Sequence, residues 1–422
     1  MGKSALVVTV GGSHEPIVAA IEATQPDFVL FVCSNDDPVT FNKGSYTQIQ
    51  GEGKIIKANF TDEKPTLGNI PSQLDLDEDS FRVVLVDADD IDQAYSIISD
   101  ELPGLVSEYD TVICDYTGGT KSMTSSLVLA SVDNEQVKVQ VVAGARGNLK
   151  KIDSSFQSVQ AMNVGRTRFK NDFDTAIGFW QHHNYATSLA ALESLKANDK
   201  EDMARLNLAV VACKAFVAWD VFDHASAKEL LTAISKRLSG ENKVYLQQLG
   251  VICSDSKVMM PNKIFDLWLN AQRCALRGRY DDATSRVYRL LEWCSQWLLQ
   301  HHMEVKTDDV PKEVIPDGVN IPFNERTQKY MAALVPAWEL AGATCGEGTA
   351  EFWFKNKQKL LDLLETRNHS ILAHGYNPIT RSDWEVMHGF AENRLLPFMV
   401  VEFEVVGIKK LPRQLPTDWE EL

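Results

Sequence analysis

The 422-residue sequence predicts two folds in series, an α/β Rossmann-like domain over residues 1–165 and an all-α domain over residues 166–422. Two observations carry this. Short Val- and Ile-rich runs bounded by Gly, Ser, Asn or Asp alternate with segments of helical period up to about residue 165, as buried parallel strands and their crossovers should. Beyond that point the strand pattern gives way to amphipathic helical runs.

In order, the predicted strands are "ALVVTV", "FVLFVCS", "RVVLVDA", "TVICDY" and "VKVQVVAG", and the predicted helices between them are "EPIVAAIEA", "IDQAYSIISDEL" and "KSMTSSLVLASV". This is βαβ grammar, which places helices on both faces of one sheet. The domains should part near "QAMNVGRTR". In the second domain, "DTAIGFWQHHNYATSLAALESL" and "NAQRCALRGRYDDATSRVYRLLEWCSQWLLQ" each read as two amphipathic runs around a short break. They resemble helical hairpins of the tetratricopeptide type but have no fixed period. The polar, proline-bearing stretch 304–326 reads as a long loop.

The totals limit the possible functions. With 44% hydrophobic and 24% charged residues the chain reads as a globular protein, and its length suits two or three domains. No apolar run is long enough to span a bilayer, and "MGKSALVVTVGG" is too short and strand-like for a signal peptide; a cytoplasmic location and no membrane partner are expected. The seven cysteines form no CxxC pair, which favours buried thiols over disulfides or a zinc site. A net charge of −16 argues against nonspecific coating of nucleic acid. Residues 1–165 hold 11 Lys/Arg against 24 Asp/Glu and the remainder 31 against 34, so a polyanion docks more easily on the C-terminal part.

Two glycine turns stand where open α/β sheets bind ligands, beyond the C-terminal ends of strands. One is Gly11, Gly12 and Ser13; the other is "DYTGGTKSM", containing Thr117, Gly118, Gly119, Thr120, Lys121, Ser122 and Met123. Glycines allow close backbone approach, and a helix start with Thr, Lys and Ser favours phosphate. Ser34 and Asn35, closing the second strand, form a third candidate. Neither turn is a P-loop or a GxGxxG fingerprint, so an ordinary NTPase or dehydrogenase is disfavoured; tight βα turns without a ligand remain the alternative.

The segment "LETRNHSILAHG" carries the second candidate site. Continued helical spacing from Leu360 and Leu364 through Ile371 places Arg367 and His374 on one stripe, which should otherwise be apolar. One account is structural: Arg367 paired with an acid such as Glu292 or Glu365, and His374 hydrogen-bonded in the core. The other is catalytic. A histidine can move a proton near neutral pH, an arginine can stabilise charge on phosphorus, and Asn368 can orient either group. RNA supplies its own 2′-hydroxyl nucleophile, so this chemistry requires no metal or cofactor. The adjacent pairs His182/His183 and His301/His302 point different ways on a helix and suit metal ligation poorly. Glu304 and Lys306 form an ExK fragment without the upstream acid of metal-dependent nucleases.

With "DYTGGTKSM" in the first domain and "RNHSILAHG" in the second, the chain resembles the CARF–HEPN ribonucleases of type III CRISPR systems, in which a CRISPR-associated Rossmann fold precedes a helical domain bearing Arg, four to six residues, then His. The resemblance spans nearly the whole chain, with the two motifs in the expected order. It implies a homodimer activated by a cyclic oligoadenylate, for which tetra-adenylate is favoured over hexa-adenylate. It also implies ligand contacts from Gly11, Gly12, Ser13, Ser34, Asn35 and Thr117 to Met123. Arg367, Asn368 and His374 would cleave single-stranded RNA, leaving a 2′,3′-cyclic phosphate, at a site built from two copies in antiviral defence. The acidic first domain is unusual for a polyphosphate ligand. The alternative is a non-enzymatic nucleotide sensor whose helical part recruits a protein or nucleic acid.

Overall fold

The structure, a computed structural model, describes residues 2–38, 43–50, 68–144, 157–238, 243–408 and 411–419. The chain divides into two compact units, Met1–Asn171 and Asp172–Leu422.

The first unit is an α/β sheet with helices on both faces. Its strands are β1 (Ser4–Thr9), β2 (Phe28–Ser34), β3 (Phe81–Val86), β4 (Thr111–Asp115), β5 (Val137–Gly144) and β6 (Gln157–Met162), in spatial order β3-β2-β1-β4-β5-β6. The first five are parallel and β6 runs antiparallel to β5. Strand alternation sorts the core into two layers. Ala5, Val7, Leu30, Val32 and Cys114 meet helices α3 (Ile91–Glu108) and α4 (Lys121–Val132). Leu6, Val8, Val29 and Phe31 meet α1 (Glu15–Thr24) and the short α2 (Ile70–Gln73). β1 sits at the centre and is buried on both faces, which is why "ALVV" reads as a continuous apolar run. The sixth strand escapes sequence reading because "QSVQAM" is polar and mostly exposed along the sheet edge.

The division between the units falls within α5 (Gly165–Gly178), a helix that begins in the "GRTR" stretch where a break was expected. The second unit is helical, as its periodicity indicates. Helices α6 (Tyr185–Ser194), α7 (Lys200–Asp220), α8 (His224–Ile234) and α9 (Lys243–Ile252) lead to the long pair α10 (Met259–Leu276) and α11 (Tyr280–Met303). Gly278, at φ +73°, turns the chain between these two, a conformation a side chain would resist. Residues 304–326 are largely irregular and end in a small hairpin, β7 (Phe323–Asn324) with β8 (Lys329–Tyr330). Then follow α12 (Leu334–Thr344), α13 (Glu347–Asn368), α14 (Arg381–Phe390), a π-helical turn at Ala391–Leu395 and α15 (Leu396–Glu404). The core of this unit joins α10 to α15, with Trp268, Leu290, Trp338, Leu360 and Phe403 at its centre.

A buried ionic network fastens α7 to α10. Asp220 accepts from Arg273 Nε at 2.8 Å and from Arg277 Nη1 at 2.6 Å, and Arg273 is fully buried. Burial pushes the Asp220 carboxyl up, but the two guanidiniums outweigh it and hold it below the usual carboxylate range. Arg273 Nη1 also donates to Gln414 Oε1 at 2.6 Å, so the network reaches the C-terminal segment 411–419, where the Tyr185 hydroxyl donates to the Pro416 carbonyl at 2.5 Å. Six of the seven cysteines are buried and all are free thiols; burial pushes the Cys33 and Cys114 thiols up to about 12.

Candidate functional site

The two glycine turns of the first unit lie against each other. β1 and β4 are neighbours, with the strand order running outward from them to β2 on one side and β5 on the other, so their C-terminal ends form a switch point of the sheet. A Cβ on Gly11 would meet the Gly119 nitrogen at 2.6 Å, and one on Gly118 would meet the Thr9 carbonyl oxygen at 2.3 Å. Thr9 Oγ1 donates to the Gly118 carbonyl at 2.6 Å, and Gly119 holds φ +88°. Glycine at 11, 118 and 119 is thus required by the protein's own packing. Gly12 is different: a Cβ there meets nothing within 4 Å. Gly118→Ala should therefore lower stability by on the order of 3 kcal/mol while Gly12→Ala leaves it unchanged, as thermal melts of the two variants would read.

Several of the candidate side chains are engaged in building the turn. Thr117 N–H and Oγ1 both donate to Asp115 Oδ1, and Thr117 Oγ1 accepts from the Val142 N–H at 2.7 Å. Burial raises the Asp115 carboxyl above its usual range, opposed by its bonds to Thr117 and Gln140. Ser34 exchanges hydrogen bonds with Ser45, and Met123 is fully buried beneath Gly119. Thr120 caps α4 by accepting from Met123 N–H and also donates to the Ala88 carbonyl, while Ser122 Oγ donates to the Asp89 carbonyl at 3.3 Å. Gly12, Asn35 and Lys121 are exposed, and the half-buried Ser13 lies between Gly12 and α1. The first turn of α4 leaves N–H groups outside its own ladder, and Lys121 stands beside them.

Sequence reasoning missed two features here. Gln48 is buried and donates from Nε2 to the Gly11 carbonyl, while its Oε1 has no hydrogen-bond partner. The loop carrying Asp87, Asp89 and Asp90 lies against Thr120 and Ser122, so part of this unit's acidity stands beside the turn. No periodicity or motif announces either contact.

The "RNHSILAHG" segment corrects the expected helical register. α13 keeps Leu360 and Leu364 in the core but ends at Asn368, so Ile371 and His374 do not continue its stripe. The chain instead folds back. His374 N–H donates to the Asn368 carbonyl at 3.2 Å, Gly375 N–H to the Ser370 carbonyl at 3.1 Å and Ile371 N–H to the Asn377 carbonyl at 3.2 Å. Gly375 permits the turn, because a Cβ would lie 1.8 Å from the His369 carbonyl oxygen. Farther on, Ile379 N–H donates to Asp281 Oδ2 at 3.1 Å and ties the loop to the start of α11. The closed turn thus sets the backbone of His374 against that of Asn368, the neighbour of Arg367.

Nor does the structural account of this motif hold. His374 is exposed, and no carboxylate lies within ion-pair distance of Arg367 among the described residues. Glu292 pairs with Arg289 at 2.5 Å. The Arg367 guanidinium carbon sits 4.3 Å above the Tyr288 ring, an arrangement worth about 0.5–2 kcal/mol. Its Nη1 donates to Asn368 Oδ1 at 3.2 Å, and its buried Nε has no hydrogen-bond partner. Tyr288, on α11, is a supporting residue that sequence spacing could not connect to a motif 79 positions away. Ile371, Leu372 and Tyr376 are also exposed, Tyr376 at 95%.

The adjacent histidines diverge: His301 stacks on Trp297 and His302 meets Glu402 at 3.0 Å, while His182 is exposed and His183 is buried against the Tyr185 hydroxyl. Glu304 and Lys306 lie at the end of α11 and in the following loop. Among the described residues no group of three His, Cys, Asp or Glu is placed to hold a metal ion, and no helix is long and apolar enough to cross a membrane.

Comparison with known proteins adds to this geometry. Residues 255–395, which include Tyr288 and the whole Arg367–Gly375 turn, match the family model of the Csm6 HEPN domain. No curated protein matches the chain. Among solved structures, Csm6 of Enterococcus italicus bound to cyclic hexa-2′-fluoro-hexa-dAMP is similar with a TM-score of 0.51 at 11% identity, over 96% of this chain and 95% of that one. Can2 of Sulfobacillus thermosulfidooxidans, in complex with cyclic tetra-adenylate, aligns over 56% of this chain and 68% of its own with a TM-score of 0.24 at 13% identity. The helical unit therefore carries a segment similar to the HEPN domain of Csm6, and the chain as a whole shares its fold, a Rossmann-like domain followed by a helical one, with that Csm6 structure.

Proposed function

We propose that the protein is a cyclic oligoadenylate-activated endoribonuclease that cleaves single-stranded RNA without a metal. The observation that carries the reading is the closed turn that bonds the exposed His374 by its N–H to the carbonyl of Asn368, the neighbour of Arg367, within the segment that matches the HEPN family model. In this reaction the RNA 2′-oxygen bonds to phosphorus as its proton passes to a base, and the bond to the 5′-oxygen breaks as that oxygen takes a proton. The products are a 2′,3′-cyclic phosphate and a 5′-hydroxyl. His374 is the group that moves protons, Arg367 stabilises the charge on the pentavalent phosphorus, and Asn368 holds the guanidinium through its Oδ1. One chain offers one such histidine. A homodimer meeting at this surface supplies both an acid and a base, and the exposed Ile371, Leu372 and Tyr376 are suited to a contact between copies.

The activator lies across the Gly11–Gly12–Ser13 and Thr117–Met123 turns, with phosphates against the start of α4 and Lys121, and Asn35 at the rim. Lys121 must offset the carboxylates of Asp87, Asp89 and Asp90. Lys121→Ala should weaken cyclic tetra-adenylate binding about tenfold or more, as calorimetry would read. Parallel titrations with the hexa-adenylate decide ring size. The whole reading is tested by incubating the protein with fluorescent single-stranded RNA in EDTA, with and without cyclic tetra- or hexa-adenylate. Stimulated cleavage supports it; ligand binding with no cleavage of any RNA points to a sensor that recruits a partner instead.

A further inference from the structure

The helical unit contains a cleft of about 630 Å³ outside the Arg367–His374 turn, in the range of ligand sites. It opens between the end of α10, the start of α14 and the His182–His183 corner, with Gln414 on its wall. Trp384, Tyr280 and Leu276 give it aromatic and aliphatic walls. Trp384 is itself braced by Trp268, whose ring stacks on it at 6.2 Å, and by His388 at 5.6 Å.

The polar groups in the cleft point to its ligand. Gln272 Nε2 faces His388 Nε2 at 3.4 Å and His388 Nδ1 faces Glu392 at 3.4 Å, so the imidazole orients the Gln272 amide, whose remaining oxygen and N–H can accept and donate in one plane. Gln414 is already committed, with its oxygen accepting from Arg273 and its nitrogen donating to the Leu269 carbonyl. The cationic Arg381 is paired with Glu385 at 2.9 Å, which weakens the cleft as a phosphate site. Flat walls with edge-on donors and acceptors and nearly balanced charge suit a heteroaromatic base.

The cleft is also placed to receive one. Asp281, which anchors the motif loop at Ile379, and Tyr288, which carries Arg367, are seven positions apart on α11, so they share a face about 10 Å apart. Tyr280 of the cleft is the neighbour of Asp281, and Arg381 follows that loop by two residues. The distance is one that an RNA strand covers in a few nucleotides.

We propose that this cleft is a nucleobase subsite that binds a base of the RNA strand flanking the scissile phosphate, with Trp384 and Tyr280 as its walls and Gln272, oriented by His388, reading the base edge. The proposal rests on the ribonuclease reading for its substrate. Its test measures binding rather than cleavage, so the two can fail separately. Fluorescent 2′-O-methyl oligo-A, oligo-C and oligo-U, which cannot be cleaved, are titrated into the full-length protein in EDTA and followed by anisotropy. The expected result is a preference of at least about fivefold for one base. Gln272→Ala abolishes that preference and costs about tenfold in affinity for the preferred sequence, within the range of single-base contacts. Arg367→Ala weakens all three oligonucleotides alike. Lys228→Ala, a change at an exposed side chain of α8 outside the cleft, keeps the preference. Equal affinity for the three sequences or an unchanged preference in Gln272→Ala would each overturn it. Absence of cleavage of natural RNA, read in a separate assay, would refute the ribonuclease without altering this outcome.

Discussion

His374→Ala is expected to lower activator-dependent RNA cleavage by about 10²–10⁴-fold, the usual contribution of a positioned acid or base, without altering the melting temperature. The side chain is exposed, so loss of rate with retained stability separates chemistry from structure. Arg367→Ala should cost about 10²–10³-fold, as for other groups that stabilise transition-state charge. Its ring contact with Tyr288 makes a small loss of stability possible to measure alongside. Arg367→Lys restores the charge but not the stacked planar fork, and should recover little of the rate. Binding of cyclic oligoadenylate is expected to be unchanged in all three. Variants at full activity would remove these side chains from the mechanism.

Asp220→Ala is expected to cost about 3–5 kcal/mol of stability. It strips the carboxylate from a fully buried Arg273 and a largely buried Arg277, and leaves Arg273 with Asp266 only at 3.9 Å. Chemical denaturation of the variant, compared with the parent protein, reads this directly. The network also has a pH signature. The folded state holds Asp220 below its unfolded pKa, so its contribution is fully present above the unfolded value near 3.9 and is lost as pH falls through the folded value. Asp220→Asn should therefore flatten the acid limb of the stability curve. An unchanged acid limb would mean that the carboxylate is not what the network depends on.

The α/β half was legible in the sequence where the strands are apolar. β1 and β2 are buried on both faces, and β3 to β5 stay rich in Val, Ile and Leu although Arg82, Leu85 and Lys138 are exposed, whereas β6 pairs by backbone along an exposed edge and its polar side chains carry no signal. The glycine turns could be located from the strand–turn–helix order, but not how they work. Gly11 and Gly118 are fixed by contacts with Gly119 and Thr9, more than 100 positions away in sequence, and Gly12 alone is free of such contact. For the same reason sequence could not show that the hydroxyls of Ser34 and Thr117, expected as ligand contacts, also hold Ser45, Asp115 and the Val142 N–H.

The motif near the end of the chain shows a different limit. Its residues were recognisable, but their spacing suggested a continuous helix. His, Ser and Ile are indifferent helix formers, and the backbone bonds to Asn377 and Asp281, with the tight fit of Gly375, favour a loop over another turn of α13. Tertiary contacts therefore overrode local periodicity. The histidine still ends against Asn368, next to the arginine in sequence, by a route that periodicity does not describe. Tyr288, Gln48 and the acidic loop beside Thr120 lie beyond any local pattern because their partners are distant in sequence.

The most direct measurement is the chemistry of the RNA ends formed in EDTA when the protein is given a cyclic oligoadenylate, read by mass spectrometry. A ribonuclease working through Arg367 and His374 yields 2′,3′-cyclic phosphates and 5′-hydroxyls, and neither appears with His374→Ala. Products ending in a 3′-hydroxyl, or cleavage that stops when divalent metal is removed, would contradict the account.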